Sequence, residues 1–321
     1  MHRRIICILA IVFLFGIVAS NQSRGEEMKT QNDNSKTLRL LFPQWQGGNN
    51  KLYTLGSRLL AWLAPESDAP LVEVPVKPFD AQELKKENGV VAQSLLLKQQ
   101  KAARDILDIH EPDRVVVFGG DCLVSQVPFA YLNEKYDGEL GVLWIDTHPD
   151  VSTPEFFQHE HAMVLGNLLG KGDPKFAAEV KVPIKAENVI YAGLIESGMN
   201  DEEAKEVRRL GLRCVGPKEL VENSDVITSW IKEKKIKKLA IHFDLDVLDP
   251  ACFRSLYFSD PQAAANAFDG IARGQMTFEQ VIRLIVDVSK ETDVVGLTIA
   301  EHLPWDMQNL KNMLEQLPIL K

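Results

Sequence analysis

Seven short apolar runs rich in β-branched residues recur along the chain, at 38–42, 114–118, 140–145, 188–192, 212–215, 238–243 and 294–299. Between them, residues 81–107, 201–210, 224–234 and 277–289 set apolar side chains at the three- and four-residue spacing of a helix face. Short apolar runs of this kind read as strands buried on both faces. Their alternation with amphipathic helices predicts an α/β fold, a doubly wound and mainly parallel sheet between helical layers, three layers in α/β/α order. Ligands in such sheets bind beyond the carboxyl ends of the strands. Residues 253–273 break the alternation and are expected to form a surface excursion near that end.

The N-terminus follows a different pattern. His2, Arg3 and Arg4 precede an unbroken apolar run over 5–19, which a small-residue site ending at Ser20 closes. A basic start, an apolar core and small residues at its end predict a secretory signal over 1–20, with an uncleaved N-terminal anchor as the alternative. The protein is then exported, periplasmic or secreted. Residues 21–36 are polar and read as a flexible lead-in. No Pro/Gly/Ser-rich linker interrupts 37–321, which reads as a single domain.

Of the 321 residues, 45% are hydrophobic and 25% charged, an ordinary globular balance. The formal net charge of -9 argues against a nucleic-acid partner, which demands clustered Lys and Arg. Without a signal, Cys122, Cys214 and Cys252 remain. Three cysteines form at most one pair, so this is not a disulfide framework.

Three strand ends carry the chemistry. They are Val115-Val116-Val117-Phe118-Gly119-Gly120-Asp121-Cys122, then Leu143-Trp144-Ile145-Asp146-Thr147-His148-Pro149-Asp150, and Ile241-His242-Phe243-Asp244-Leu245-Asp246-Val247-Leu248-Asp249-Pro250. Asp146, His148 and Asp150 are spaced two apart, as are Asp244 and Asp246. In extended chain that spacing sends side chains to one side. Two such rows on neighbouring strands would place four carboxylates and an imidazole around a small volume. That many negative charges repel unless cations sit among them, and a pair of divalent metals answers the conflict. A single Asp-x-His or Asp-x-Asp would more simply be a turn or helix cap. Three acidic strand ends on one chain are hard to explain that way.

Taken together, the Gly-Gly-Asp, Asp-x-His-x-Asp and Phe-Asp-x-Asp-x-x-Asp-Pro runs resemble, in the same order, the signatures of the arginase/agmatinase (ureohydrolase) family. Val151-Ser152-Thr153-Pro154, His161-Ala162-Met163 and the run Gly296 to Glu301 with Pro304 resemble further elements of that family, so the similarity spans about 114–304. The resemblance implies an arginase-like fold and two divalent ions, Mn²⁺ first among them, with Asp146 and Asp244 bridging. His148 and Asp246 would complete one shell, and Asp150 and Cys122 the other. It implies C–N hydrolysis of a linear guanidino or amidino compound by a hydroxide held between the ions. Glu301 and Ser152 would bind the substrate, Asp150 would orient the hydroxide, and His161 would pass a proton to the leaving amine. A homo-oligomer, trimer or hexamer, and no membrane contact beyond the N-terminal segment complete what it implies.

Two departures stand out. The family's first signature ends in a ligand His where this chain has Cys122, a soft donor that suits Zn²⁺ or Fe²⁺ better than Mn²⁺. That ion is then of a different kind, or weakly held, or missing; a packed thiol is the plain alternative. The acidic residues that hold the α-amino group in arginases and the Ser-Gly-Asn stretch that reads the α-carboxylate are also missing. Gly198 and Gln158-His159-Glu160 occupy those neighbourhoods, which argues against arginine itself as substrate. The second reading is a catalytically silent relative that binds a metal or ligand.

Overall fold

A computed structural model describes residues 35–80 and 82–320. The signal or anchor expected over 1–20 lies outside the described residues. Nine strands form among the described residues: β1 (Thr37–Phe42), β2 (Leu71–Glu73), β3 (Lys86–Glu87), β4 (Val90–Val91), β5 (Arg114–Gly119), β6 (Gly141–Ile145), β7 (Val189–Ala192), β8 (Lys238–Asp244) and β9 (Asp293–Ala300). Seven make one sheet in the order β2-β1-β5-β9-β8-β6-β7, every neighbouring pair parallel. The helices are α1 (Tyr53–Leu63), α2 (Gln93–His110), α3 (Gln126–Lys135), α4 (Val164–Leu168), α5 (Pro174–Ala178), α6 (Asp201–Leu210), α7 (Asp225–Lys234), α8 (Phe278–Glu291) and α9 (Trp305–Leu314).

The three layers follow from the two-residue alternation of the strands. Val142 and Trp144 of β6 point into one core with Leu96 and Leu107 of α2 and Leu132 of α3. Leu143 and Ile145 point into the other, with Ile227 and Trp230 of α7 and Leu284 and Val288 of α8. Burial on both faces explains why β6 reads as an uninterrupted apolar run. The expected α/β/α sandwich is what forms.

Two expectations fail locally. Of the segment expected to be helical over 81–107, the described residues from 82 on are helical only from Gln93; before it, Asn88 and Gly89 both adopt positive φ (50° and 92°) at the turn of an antiparallel β3–β4 hairpin. Asn-Gly is the strongest short-range hairpin signal, and it outweighs the apolar periodicity there. Residues 212–215 do not form a strand. The Arg213 and Val215 carbonyls accept from Tyr191 and Gly193 N–H at 2.9 and 2.8 Å, but Gly211 (φ 68°) ends α6 just before and Pro217 starts a 3₁₀ turn just after.

Gly120 lets β5 approach the end of β1. A Cβ there would stand 1.7 Å from the Gln44 carbonyl oxygen, while Gly120 and Asp121 N–H donate to Phe42 and Gln44 at 3.0 and 3.1 Å. Gly120→Ala is therefore expected to destabilise the fold by at least about 1–3 kcal/mol, the usual range for overpacking. Chemical denaturation checks this, and an unchanged midpoint would refute it.

Candidate metal centre

The site lies at the carboxyl ends of β5, β9, β8 and β6, four neighbours in the sheet. The rows expected in extended chain instead turn, since β6 ends at Ile145 and β8 at Asp244. Asp146 Oδ1 accepts the His148 backbone N–H at 2.7 Å, and Asp150 takes a left-handed backbone with φ 49°. Asp244 Oδ1 accepts the Asp246 N–H at 2.6 Å within a 3₁₀ turn, Leu245–Val247. Such side-chain-to-backbone bonds are what Asp makes at turns. Here they fold each row over the strand ends. The Thr147 hydroxyl joins the rows by donating to the Asp246 carbonyl at 3.1 Å, and Glu301 N–H reaches the Gly120 carbonyl at 2.8 Å.

The donor atoms converge in three overlapping groups, each within 4.8 Å: Asp146, His148 and Asp246; Cys122, Asp146, Asp150 and His242; and Cys122, Asp244 and Glu301. His148 Nδ1 stands 3.1 Å from Asp246 Oδ2. The Cys122 thiol donates to Asp244 Oδ2 at 3.0 Å and approaches Glu301 Oε1 at 3.6 Å. The structure thus brings together all six residues assigned as ligands from sequence. Ser152 and His161 belong to none of these groups. Ser152 helps line a cleft of about 310 Å³ with Val151, Glu155, Glu202, Glu203 and Glu206. His161 points Nδ1 at the Gly47 carbonyl, 3.0 Å away.

Electrostatics make this cluster costly in the absence of cations. Burial, aided by the Asp246 charge, pushes Asp146 up to about 8, and burial holds Asp150, Asp244 and Glu301 well above the usual carboxylate range. Burial and the neighbouring Asp244 raise the Cys122 thiol as well. Burial alone would lower His148, but the adjoining Asp246 carboxylate holds it at about 10. Within the cluster, ion pairs among the described residues involve only His148 and His242. Asp150 Oδ2, Asp246 Oδ1, His148 Nε2 and His242 Nε2 are buried with no hydrogen-bond partner. Atoms left so cost about 1–3 kcal/mol each. A dication would satisfy these acceptors and offset the repulsion together, so the donor set fits divalent metal.

Three residues of the site were not singled out from sequence. Tyr53, which opens α1, donates its hydroxyl to Glu301 Oε2 across 248 positions of chain, and no local signal marks it. Asp121 accepts Gly48 and Leu123 N–H at 3.1 and 3.2 Å, and burial raises it to about 7; it stands inside the Gly-Gly-Asp run. His242 precedes Asp244 by two on the same side of β8, which was a usable signal. The irregular segment 253–273 does reach this region. The Phe258 ring lies 6.0 Å from that of His148, and a Cβ on Gly198 would meet that of Ala272 at 2.4 Å. An acidic side chain at 198 therefore has no room unless that segment moves.

A family model described as the arginase family matches residues 57–309. The chain belongs to the arginase family. The match starts within α1, well before the signature runs. Arginase from Staphylococcus aureus (strain COL) is 27% identical over 160 residues, covering 47% of this chain and 52% of the relative. The chain thus spans about half the length of that curated relative. Among solved structures, arginase from Bacillus caldovelox superposes with a TM-score of 0.67 at 19% identity, covering 84% of this chain and 91% of that one. Formimidoylglutamase from Bacillus subtilis superposes with a TM-score of 0.61 at 15% identity, covering 85% and 81%. The arginase-family sheet therefore accounts for how the clustered donors are brought together.

Proposed function

We propose that this arginase-family chain is a metal-dependent hydrolase of a linear guanidino or amidino compound other than arginine. The observation that carries the reading is the convergence of Asp146, His148, Asp150, Asp244, Asp246 and Glu301 with no lysine or arginine pairing among the described residues. Two ions would be held: one by Asp146, Asp244, His148 and Asp246, an oxygen-rich set suited to Mn²⁺, the other by Asp146, Asp244, Asp150 and Cys122. When bound, such a pair lowers the pKa of water towards neutrality and polarises the carbon under attack.

The chain's own groups supply the rest. Glu301 is fixed by a left-handed backbone (φ 65°) and by Tyr53, so its carboxylate would accept N–H bonds from the amidine. Asp150 Oδ2, unpartnered, would orient the attacking water and accept its proton. Burial holds His161 neutral, at about 4. With Nδ1–H on the Gly47 carbonyl, its bare Nε2 would take up the proton that Asp150 receives from the water and pass it to the leaving amine. The cleft beyond Asp150 contains Lys205 and Arg209, but Glu202 and Glu206 engage them. Glu155 and Glu203 have no lysine or arginine ion-pair partner among the described residues, which favours a substrate tail without a carboxylate.

After loading with Mn²⁺, Fe²⁺, Zn²⁺, Co²⁺ or Ni²⁺, urea or an analogous amide should form from agmatine or another linear substrate of a panel that includes guanidinobutyrate, and not from arginine. A panel without product at any metal overturns the reading. On the substrate so found, His161→Ala should lower kcat by about 10²–10⁴-fold with KM little changed, the usual contribution of a positioned proton carrier.

A further inference from the structure

His242 is buried in the middle of β8 and held from two directions. The Trp144 ring stacks on it with centroids 3.8 Å apart and planes 15° from parallel, and Nδ1 lies 2.7 Å from the Ser125 hydroxyl oxygen. Its other nitrogen is unsatisfied. Nε2 has no hydrogen-bond partner and faces Asp146 Oδ2 at 3.8 Å, an oxygen already taken by Trp144 Nε1–H at 3.0 Å. A histidine kept only for packing would bury a carbon side chain there at lower cost. A ring nitrogen of His242 lies within 4.8 Å of Cys122 Sγ and of oxygens of Asp146 and Asp150, all from buried residues. In a tetrahedral shell with bonds of about 2.0–2.3 Å, donor atoms stand roughly 3.3–3.8 Å apart, so a small inward relaxation would close the shell.

We propose that His242 is a metal ligand, forming with Cys122, Asp146 and Asp150 a mixed sulfur, nitrogen and oxygen site that prefers Zn²⁺ to Mn²⁺. One turn organises both soft donors: Cys122 and Ser125 open and close a single 3₁₀ turn, so the segment that presents the sulfur also carries the hydroxyl that orients the imidazole. A ligand histidine characteristically hydrogen-bonds its second nitrogen in this way, which fixes the tautomer. Binding converts the Cys122 thiol to thiolate, its proton passing to solvent, and no redox change is involved. The inference rests on the metal-dependent reading above. In the shell of the second ion it puts His242 in the place given there to Asp244, and it adds a metal preference.

The test uses the purified full chain with Co²⁺ as a spectroscopic probe and Zn²⁺/Mn²⁺ competition by metal analysis. One equivalent of Co²⁺ should give a thiolate-to-cobalt charge-transfer band and intense tetrahedral d–d bands. Cys122→Ser should remove the charge-transfer band. His242→Ala should keep that band, weaken the d–d bands, and reduce the Zn²⁺ preference at least tenfold. Spectra and preference unchanged in His242→Ala would overturn this inference while leaving the metal-dependent reading intact; failure of any dication to bind would overturn both. Should the variants not fold, X-ray absorption of wild type with one equivalent of Zn²⁺ decides. Sulfur and imidazole on the same ion support the site, and their absence refutes it.

Discussion

Asp150→Asn is expected to cut turnover of the metal-loaded protein at least about a hundredfold while raising the melting temperature of the metal-free protein at pH 8. Loss of a residue that only supports a ligand already costs about 10–100-fold in affinity or activity. The proposed function gives Asp150 two roles, as ligand and as the group that orients water. Asn is the substitution that isolates the charge, because it tolerates the left-handed backbone at this position and is nearly isosteric. The stability effect has the opposite sign. Burial holds the folded Asp150 carboxyl well above its ordinary value, so the folded chain keeps this proton over a pH range in which the unfolded chain has already lost it. Each pH unit above the ordinary carboxylate pKa then favours the unfolded chain, and the amide removes that penalty. The product assay with metal analysis reads the first effect, and calorimetry with and without metal reads the second. A variant with full metal content and full turnover would remove Asp150 from the centre.

Much of this arrangement can be read from residue order, and where it cannot the reasons are physical. The strands β5, β6 and β8 are legible because parallel strands buried on both faces must be apolar at every position, as Val115 to Phe118 and Leu143 to Ile145 are. The polar residues after them are legible for the complementary reason: the first non-apolar positions mark where the sheet ends. How those residues meet is not. Period-two spacing suggested extended rows, but Asp146 and Asp244 bond the backbone two residues ahead and bend their own chain. Local competition of this kind between side chain and backbone is invisible to periodicity. His242 hid inside an apolar run, although its place two before Asp244 on one strand face carried the information. Tyr53 is different again. Its pairing with Glu301 is set by the packing of α1 near the end of β9, where a Cβ on Gly56 would stand 1.7 Å from the His302 carbonyl. Contacts of that range depend on the assembled fold.

Metal loading at pH 7 should release about two protons per chain, and metal affinity should rise about a hundredfold per pH unit between pH 6 and 7. Asp146, at about 8, and His148, at about 10, both hold protons at neutral pH before an ion arrives, and Asp150, Asp244 and Cys122 are shifted the same way. Ligands bind metal in their deprotonated form, so each such group surrenders a proton on loading, and two protons released mean a slope of two in log affinity against pH. The sign for the metal-free protein follows from the same groups. Asp146 is raised in the folded state, so between about 4 and 8 the native chain binds more protons than the unfolded one, and stability falls as pH rises; His148 acts likewise from its ordinary value up to about 10. The metal-free protein should therefore lose melting temperature as pH rises from 5 to 8, whereas stabilisation by saturating metal should grow. Titration calorimetry in buffers of different ionisation enthalpy counts the protons, and thermal scans across that pH range give the two slopes. Zero proton release would mean that the carboxylates are already ionised side by side before any cation binds. Their closeness would then need another source of compensation, and the case for a metal centre would lose its electrostatic basis.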